Sequence, residues 1–318
     1  MPPQGRLKDD SWRTRAGTDS RGNRRFVASS TPDLVVPEVE GDVYRWRFGD
    51  ASFEVDASRG ARITGFRFGT ENILIGPEVN PLNYGSTFWT SPQSDWGWPP
   101  VTEIDSAPYT VTGEGSALWF QSPAAEGLGM AVAKQFRVHS DDETVEIEYV
   151  IENRSGKSRS VAPWEISRLP NGGLTFFPAL GGIQPASNLP AREAAGAIWF
   201  DNDPGALTDP QKLFARASEG WVAHIDIARR MLLIKTFAAI DPSQTAPGEA
   251  EIELYADPPH TYVEIEQQGP FLPLDPKQRS SWTVTWRLRR LPAGIEAITG
   301  NKDLLALVRA LKARDQTQ

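Results

Sequence analysis

Short runs of alternating apolar and polar residues follow one another along most of this chain, and turns rich in Gly, Pro and Asp separate them. The clearest run is 144–152, in which the apolar side chains share one face of a strand and the carboxylates share the other. Many short strands joined by tight turns over about 250 residues are typical of an all-β sandwich or barrel. The runs have no fixed period, which argues against a propeller.

The same pattern gives the boundaries of the other elements. We predict further strands at 43–48, 52–56, 60–69, 109–113, 117–121, 130–138, 159–166, 174–177, 196–200, 213–215, 221–227, 231–236, 250–255, 261–267 and 281–288. Asn301 can cap a helix at about 301–313, whose apolar stripe would pack across the sandwich. The chain therefore divides into a disordered basic N-terminal tail (1–42), an antiparallel β-sandwich domain (43–290) and a C-terminal extension with the helix (291–318).

The composition excludes several classes of protein. The chain has 318 residues and no Cys, so disulfides, thiolate metal sites and Cys nucleophiles are excluded. No apolar run approaches the ~18 residues that a membrane span requires. Residues 1–25 hold seven basic and three acidic side chains, which leaves a net charge of −12 on the rest of the chain, and this argues against nucleic acid as a partner. With no secretory signal pattern, we expect a soluble cytoplasmic protein. The oligomeric state is left open.

The segment from Asn83 to Pro100, NYGSTFWTSPQSDWGWPP, concentrates aromatic residues among Pro, Gly and small polar residues. Its three prolines and two glycines predict that it is neither a regular helix nor a regular strand. Aromatic side chains on an irregular segment either cap the end of a core or line an open cleft. If they line a cleft, Trp89, Trp96 and Trp98 are the candidates to stack on the apolar face of a sugar ring.

Two later segments carry candidate polar groups. In the strand predicted at 261–267, Glu264 and Glu266 share one face about 6–7 Å apart, so that one could act as a general base while the other orients it. The alternative is an exposed acidic face. Earlier in the chain, Glu165 and Arg168 lie three residues apart. They would either bind substrate or form an ion pair at the surface.

The histidines and one lysine complete the set of candidates. His224 lies between Val222 and Asp226 on one face of a predicted strand, so it could face either the core or a cleft. His260 immediately precedes the strand of Glu264. Lys235 stands alone in an apolar run and could reach into a cleft, although such a Lys more often extends to the surface at a strand end. No pair of histidines has the spacing of metal ligands, and no phosphate-binding glycine loop or GxSxG motif occurs. We therefore predict neither a metal nor a cofactor.

Several of these segments resemble one bacterial family of unknown function, DUF4380. The matching segments are GARI at 60–63, GSTFWTSPQ at 85–93, WGWPP at 96–100, APWEI at 162–166 and EIEQQGP at 264–270. The resemblance covers about residues 43 to 311. That family is similar to the galactose mutarotase-like proteins, which include aldose 1-epimerases and carbohydrate-binding domains. The resemblance implies a supersandwich of two large antiparallel sheets with a sugar-binding cleft on a concave face.

The resemblance also implies roles for particular residues. Aldose 1-epimerases use a Glu late in the chain as base on the anomeric hydroxyl and a His as acid on the ring oxygen. Glu264 or Glu266 is the candidate base. This chain lacks the mid-chain His motif that leads to Tyr-Phe-Asn, so His224 or His260 would replace it, or Arg168 or Lys235 would serve as the electrophile.

The expected partner is thus a sugar or an oligosaccharide, and the expected function is carbohydrate binding with aldose 1-epimerase-like activity. The alternatives are a sugar-binding module without turnover and a protein-interaction scaffold. A lyase acting on acidic polysaccharides is disfavoured, because a polyanion requires a basic groove and the body of this chain is acidic.

Overall fold

The computed structural model describes residues 34–179, 181–202, 211–256 and 261–315. Within these ranges the strands form two large antiparallel sheets, which we call sheet I and sheet II. In spatial order, sheet I consists of β1 (Glu38–Glu40), β2 (Val43–Phe48), β3 (Ala51–Asp56), β4 (Arg62–Phe68), β6 (Ser86–Ser91), β11 (Arg159–Pro170), β19 (Tyr262–Gln268), β18 (Ile252–Ala256) and β15 (Gln211–Ala215), with β5 (Glu71–Asn72) beside β4 and β20 (Leu272–Leu274) beside β11.

Sheet II is of similar size. In spatial order it consists of β13 (Arg192–Ala194), β14 (Ala197–Asp201), β12 (Gly173–Phe177), β16 (Trp221–Asp226), β17 (Met231–Phe237), β21 (Arg279–Arg290), β10 (Thr144–Asn153), β9 (Met130–His139), β8 (Trp119–Gln121) and β7 (Thr110–Thr112). Short helical segments are α1 (Thr102–Asp105), α2 (Lys302–Asp315) and the 3-10 turns Gln93–Asp95 and Pro242–Gln244. The prediction of an all-β antiparallel sandwich with a C-terminal helix is confirmed.

The main core lies between the two sheets and is rich in aromatic rings. Phe53 of sheet I meets Phe136 and Trp286 of sheet II, with ring centroids 5.7 and 6.1 Å apart. Phe88 of β6 stacks on Tyr149 of β10 at 4.3 Å. Each of these side chains comes from the inward face of its strand, so the two inward faces build the interface between the sheets.

The C-terminal helix covers part of the outer face of sheet II. Asn301 caps it, since its Oδ1 accepts a hydrogen bond of 2.9 Å from the backbone N–H of Asp303. Leu304 and Val308 are fully buried against side chains of β16 and β17 such as Leu232. The predicted helix is confirmed, and it continues to Asp315. None of the helices that the structure describes is long and apolar enough to cross a membrane.

Two parts of the chain differ from the sequence prediction. Residues 86–91, which we expected to be irregular, form β6, a central strand of sheet I that pairs with β11 from Ser86↔Ser167 to Ser91↔Ala162. Every residue of β6 is buried, so its two faces do not alternate in polarity and its strand character is hidden. The segment at 34–41 also contains structure before residue 42, namely β1 and a hydrogen bond from Val35 to Val138. The rest of the predicted tail, residues 1–33, lies outside the described residues.

Candidate active site on sheet I

The candidate site lies on the outer face of sheet I, which faces away from sheet II. Successive side chains of β11 alternate, so Trp164, Ile166 and Arg168 lie on the outer face whereas Glu165 and Ser167 face the core. The strand pairing then places Trp164 opposite Trp89 of β6 on one side. On the other side, Ile166 lies opposite Glu266, and Arg168 lies opposite Glu264.

Two further strands extend this pattern towards the edge of the sheet. Glu266 of β19 lies opposite Glu253 of β18, and Glu264 lies opposite Tyr255. Tyr255 in turn lies opposite Lys212 of β15. Neighbouring strands therefore bring three carboxylates and a lysine onto one face, although β15 and β19 are about fifty residues apart in the chain.

These side chains line a pocket of about 370 Å³, which we call the cleft. That volume lies within the range typical of small-molecule sites. Its lining residues are Asn83, Trp89, Gln93, Trp98, Trp164, Lys212, Tyr255, Tyr262, Glu264 and Glu266. Four of them, Asn83, Trp89, Gln93 and Trp98, come from the aromatic segment 83–100, which forms one wall.

The aromatic wall is partly rigid and partly open to solvent. Trp89 contacts Trp164 and Trp98 edge-to-face, with ring centroids 5.5 and 6.2 Å apart. Its Nε1 donates a hydrogen bond of 2.8 Å to Asp105, which fixes the orientation of the ring. Trp98 is 62% exposed at the mouth of the cleft. An exposed aromatic ring beside buried ones is available to a ligand.

Trp96 differs from the two other tryptophans predicted to bind sugar. Its Nε1 donates a hydrogen bond of 2.8 Å to the carbonyl oxygen of Thr90, and its ring packs against Trp89 and Trp164 from behind. It does not line the cleft. Trp96 therefore supports the wall, whereas Trp89 and Trp98 form its surface.

Arg168 is held beneath the cleft. Its side chain is fully buried, its Nε donates a hydrogen bond of 2.8 Å to Glu264, and its Nη1 donates one of 3.0 Å to Thr87. Its Cζ lies 5.4 Å from the centre of the Trp89 ring. Arg168 thus fixes Glu264 and supports Trp89, and it does not appear among the side chains that line the cleft.

Glu266 is the carboxylate with the most unusual environment. It is 2% exposed, and its Oε2 lies 3.6 Å from the Nζ of Lys212. Burial, together with the nearby charges of Glu264 and Glu249, raises the pKa of Glu266 to about 7, although Lys212 and Arg168 oppose the shift. A carboxylate that titrates near neutral pH can both accept and release a proton under ordinary conditions.

Glu253 shares the same lysine. Its Oε2 lies 2.5 Å from the Nζ of Lys212, while its Oε1 accepts hydrogen bonds from the backbone of Ala250 and from Gln268. Burial and the charge of Glu266 raise the pKa of Glu253 well above its ordinary value. Burial lowers the pKa of Lys212, but the two carboxylates outweigh burial and the net shift is upward. The charge of Lys212 therefore acts on both carboxylates, and the charge of Glu266 acts on Glu253.

Two residues predicted to bind substrate lie in the core instead. Lys235 donates a hydrogen bond of 2.8 Å to Glu165 Oε1 and another to Ser167, and both members of the pair are at most 1% exposed. Glu165 also accepts hydrogen bonds from Tyr149 and Trp286 of sheet II. Because Glu165 is on the inward face of β11, this ion pair joins the two sheets and does not reach the cleft.

None of the histidines that the structure describes lines the cleft. His224 lies on β16 of sheet II, where its Nδ1 is 2.9 Å from Thr175 Oγ1. Burial lowers its pKa to about 4, so the ring is neutral at physiological pH. His260 lies outside the described residues. Among the described residues, no group of three His, Cys, Asp or Glu side chains could hold a metal ion.

Sequence reasoning missed several residues of the site. It did not single out Trp164, Lys212, Glu253, Tyr255 or Tyr262 as members of the site. Each lies in or beside a predicted strand, so the period of two residues could have indicated which neighbours share its face. Which strands are adjacent is not visible in that pattern, and adjacency is what brings Lys212 to Glu266.

Two face-to-face antiparallel sheets with a cleft on the outer face of one of them form a large β-sandwich, and its fold matches that of galactose mutarotase-like proteins. Solved structures support this assignment. A galactose mutarotase-like protein from Clostridium acetobutylicum superposes with a TM-score of 0.55 at 11% identity, over 81% of this chain and 98% of that one. One from Lactobacillus casei gives a TM-score of 0.55 at 13% identity, over 78% and 100%.

A putative aldose 1-epimerase from Escherichia coli K12 gives a TM-score of 0.53 at 11% identity, over 78% of this chain and 99% of that one. A TPR-domain protein from Parabacteroides distasonis matches at a TM-score of 0.56, and this chain covers 49% of its length. At such identities the similarity establishes the fold alone. No family model matches the chain, and no curated protein matches it. The resemblance is confirmed at the level of the fold, and the closer resemblance to DUF4380 stays a prediction.

Proposed function

We propose that this protein binds a sugar in its pyranose form in the cleft and interconverts the two anomers, with Glu266 as general base. The observation that carries this proposal is the position of Glu266, a buried carboxylate that titrates near neutral pH and borders a cleft walled by tryptophans. Structural neighbours described as putative aldose 1-epimerases agree with it.

The lining of the cleft suits a neutral sugar. The face of Trp98, which is 62% exposed, offers flat apolar area for the C–H face of a pyranose. Asn83 and Gln93 supply amide donors and acceptors for hydroxyl groups, and Glu264 supplies a carboxylate that Arg168 already orients. Bonds from hydroxyl groups to a charged acceptor are the stronger kind and would set the orientation of the sugar.

The proposed reaction transfers two protons in each direction. Ionised Glu266 takes the proton of the C1 hydroxyl, a C1=O double bond forms, and the bond from C1 to the ring oxygen breaks. The ring oxygen takes a proton from Lys212, which lies 3.6 Å from Glu266. Rotation about the C1–C2 bond and reversal of these steps then close the ring as the other anomer.

Binding without turnover is the second candidate, and one observation favours it. The described lining of the cleft contains no histidine, and the raised pKa of Lys212 makes this ammonium a weak acid towards the ring oxygen. The base would then be present without an efficient acid, and the cleft would hold a sugar without changing it.

One experiment separates the two candidates. Freshly dissolved α-D-glucose, α-D-galactose and α-D-xylose are followed by NMR exchange spectroscopy with and without the protein. Faster interconversion of the anomers supports the proposed activity. Unchanged rates for sugars that nevertheless bind, detected by tryptophan fluorescence, support the binding module. Neither binding nor acceleration across the panel contradicts both.

The two types of tryptophan in segment 83–100 provide a test of the binding surface. We expect Trp98→Ala to weaken sugar binding by about tenfold, because it removes the exposed ring at the mouth of the cleft. Isothermal titration with a sugar that binds the wild-type protein measures the change.

Trp119→Ala is the matched control, since Trp119 is a half-buried tryptophan on the outer face of sheet II. It should leave the affinity unchanged. Equal losses in the two variants, or none in Trp98→Ala, would show that the ligand does not contact this wall.

A further inference from the structure

A second and larger depression of about 670 Å³ lies beside the cleft, and we call it the second pocket. Polar side chains dominate its lining, and they come from β3, β4, β5, the loop at 73–84 and the turns near 170, 229 and 261. The polar and charged members are Glu54, Asp56, Thr64, Arg67, Thr70, Glu71, Asn72, Glu78, Tyr84, Arg229 and Thr261.

The second pocket opens on the same face of sheet I as the cleft. On β3, Phe53 and Val55 are in the core between the sheets, so Glu54 lies on the outer face. On β4, Thr64 follows the core residue Ile63, and its hydroxyl donates a hydrogen bond of 2.8 Å to Glu54. The outer face of sheet I is therefore hollowed at two neighbouring places.

A single wall separates the two depressions. Tyr84 and Tyr262 pack together with Ile75 in one buried cluster. Tyr262 and Asn83 line the cleft, whereas Tyr84 and Thr261, their neighbours in the chain, line the second pocket. The cluster of Ile75, Tyr84 and Tyr262 thus contributes side chains to both depressions.

This wall is held firmly to the cleft. The guanidinium of Arg62 lies 4.5 Å from the centre of the Tyr84 ring and donates hydrogen bonds to the carbonyl oxygen of Leu82 and to Asp105. Asp105 also accepts the hydrogen bond from Trp89. The carboxylate of Asp105 therefore supports both Arg62, which lies over Tyr84, and Trp89 in the aromatic wall of the cleft.

Exposed apolar side chains lie in the lining of each depression or next to it in the chain: Val79 lines the second pocket, Trp98 lines the cleft, and Leu82 precedes the cleft residue Asn83. Leu82 is 78% exposed and Val79 is 40% exposed on the loop that forms the wall, and Trp98 is exposed at the mouth of the cleft. Exposed apolar side chains are ordinary when isolated, but a group beside a groove marks a contact surface for a ligand. A single sugar ring held inside the cleft would leave Leu82 and Val79 uncovered.

We propose that the cleft and the second pocket together bind a neutral oligosaccharide, with its reducing-end sugar in the cleft and the following units over the wall in the second pocket. This inference rests on the proposed sugar binding in the cleft. It places the C1 hydroxyl of the terminal unit beside Glu266 and leaves the rest of the glycan against Leu82 and the polar lining.

The charges explain why the glycan is neutral. The carboxylates that line the second pocket outnumber its guanidinium groups, so an acidic glycan would be repelled. Several of the charged groups are already satisfied by protein partners. Glu54 pairs with Arg45, Glu71 with Arg290, and Arg229 with Asp226. The second pocket therefore offers a ligand hydrogen-bonding groups with little net charge, and the hydroxyl groups of a sugar suit such a lining.

The test compares chain lengths. Maltotetraose, cellotetraose and xylotetraose are titrated beside D-glucose and D-xylose by calorimetry. We expect at least one tetrasaccharide to bind at least about tenfold more tightly than its monosaccharide. Leu82→Ser and Arg67→Ala should each lower the affinity for that tetrasaccharide several-fold and leave the affinity for the monosaccharide unchanged. Ile298→Ser is the control, since Ile298 is another exposed apolar residue and lies near α2.

The outcomes distinguish this inference from the proposed function. Monosaccharide binding without any gain from the additional units would overturn the inference and leave the proposed function standing. A gain that neither Leu82→Ser nor Arg67→Ala reduces would also overturn it, because the additional units would then lie elsewhere. Absence of binding by every sugar would overturn both.

Discussion

The Lys235→Met variant should unfold with a free energy about 3–5 kcal/mol lower than that of the wild-type protein. Removing the ammonium leaves Glu165, which is 0% exposed, without the cation that lies 2.8 Å from its Oε1. Met has nearly the length of Lys, so little packing is lost. Chemical denaturation at neutral pH, followed by tryptophan fluorescence, measures the difference.

The double variant Glu165→Gln/Lys235→Met is the control for this prediction. It removes both charges and keeps an amide that can bond with Tyr149 and Trp286, so it should be more stable than Lys235→Met alone. If the single and double variants are equally destabilised, the loss comes from packing. A single variant as stable as the wild-type protein would show that the ion pair between the sheets contributes nothing.

Strands with one buried and one exposed face explain why part of the fold could be predicted from the sequence. In β10 one face is apolar and the other carries carboxylates, because only one face meets the opposite sheet. In such strands the alternation of apolar and polar residues shows which face is buried, and a series of them is sufficient to predict a sandwich. The capped helix after Asn301 is predictable for a similar reason, since both its cap and its apolar stripe are local in sequence.

The central strands of sheet I are covered on both faces and lose this signal. In β11, residues 161–169 are all buried, so alternation does not distinguish Glu165 on the core face from Arg168 on the outer face. In β6 the same burial hides the strand entirely. Glu165 and Lys235 were therefore expected in the site, although they belong to the interface between the sheets.

Within the candidate site, only the pairs that are close in sequence could be predicted. Glu264 and Glu266 are two residues apart on one strand, so their common face follows from the period of a strand. Glu253 and Lys212 reach them through the order of strands β15, β18 and β19, which local sequence does not encode. The environment that raises the pKa of Glu266 is thus a product of topology.

Glu266→Gln should reduce anomer interconversion by about 10²–10⁴-fold, the usual contribution of a general base. The base acts when ionised and its pKa is about 7, so the wild-type kcat/KM should rise with pH through about 7 and level off above it. Below that pH, the rate should fall about tenfold for each pH unit as Glu266 is protonated. NMR exchange rates measured from pH 5 to 9 give this profile.

Two variants should move the profile in opposite directions. The groups that face Glu266 are Glu264 on its own strand, Glu253 on β18, Lys212 on β15, Arg168 on β11, and Glu249. Glu253→Gln removes the opposing carboxylate and frees Lys212 for Glu266, so the pKa of Glu266 should fall and the rise should move to lower pH. Lys212→Met keeps a side chain of similar length beside Trp164 but removes the charge, so the pKa of Glu266 should increase and the rise should move to higher pH. The plateau rate should also fall, because Lys212 is the proposed proton donor to the ring oxygen.

Altered packing alone would not shift the two profiles in opposite directions, so the pair of variants tests the electrostatic explanation. Both variants keep side chains of similar size at their positions, and equal thermal midpoints would show that both remain folded. NMR titration of the Glu266 carboxyl carbon gives the same information without any turnover. If the midpoint stays near pH 7 in both variants, the charges of Glu253 and Lys212 do not control Glu266, and burial with the charges of Glu264 and Glu249 accounts for its raised pKa.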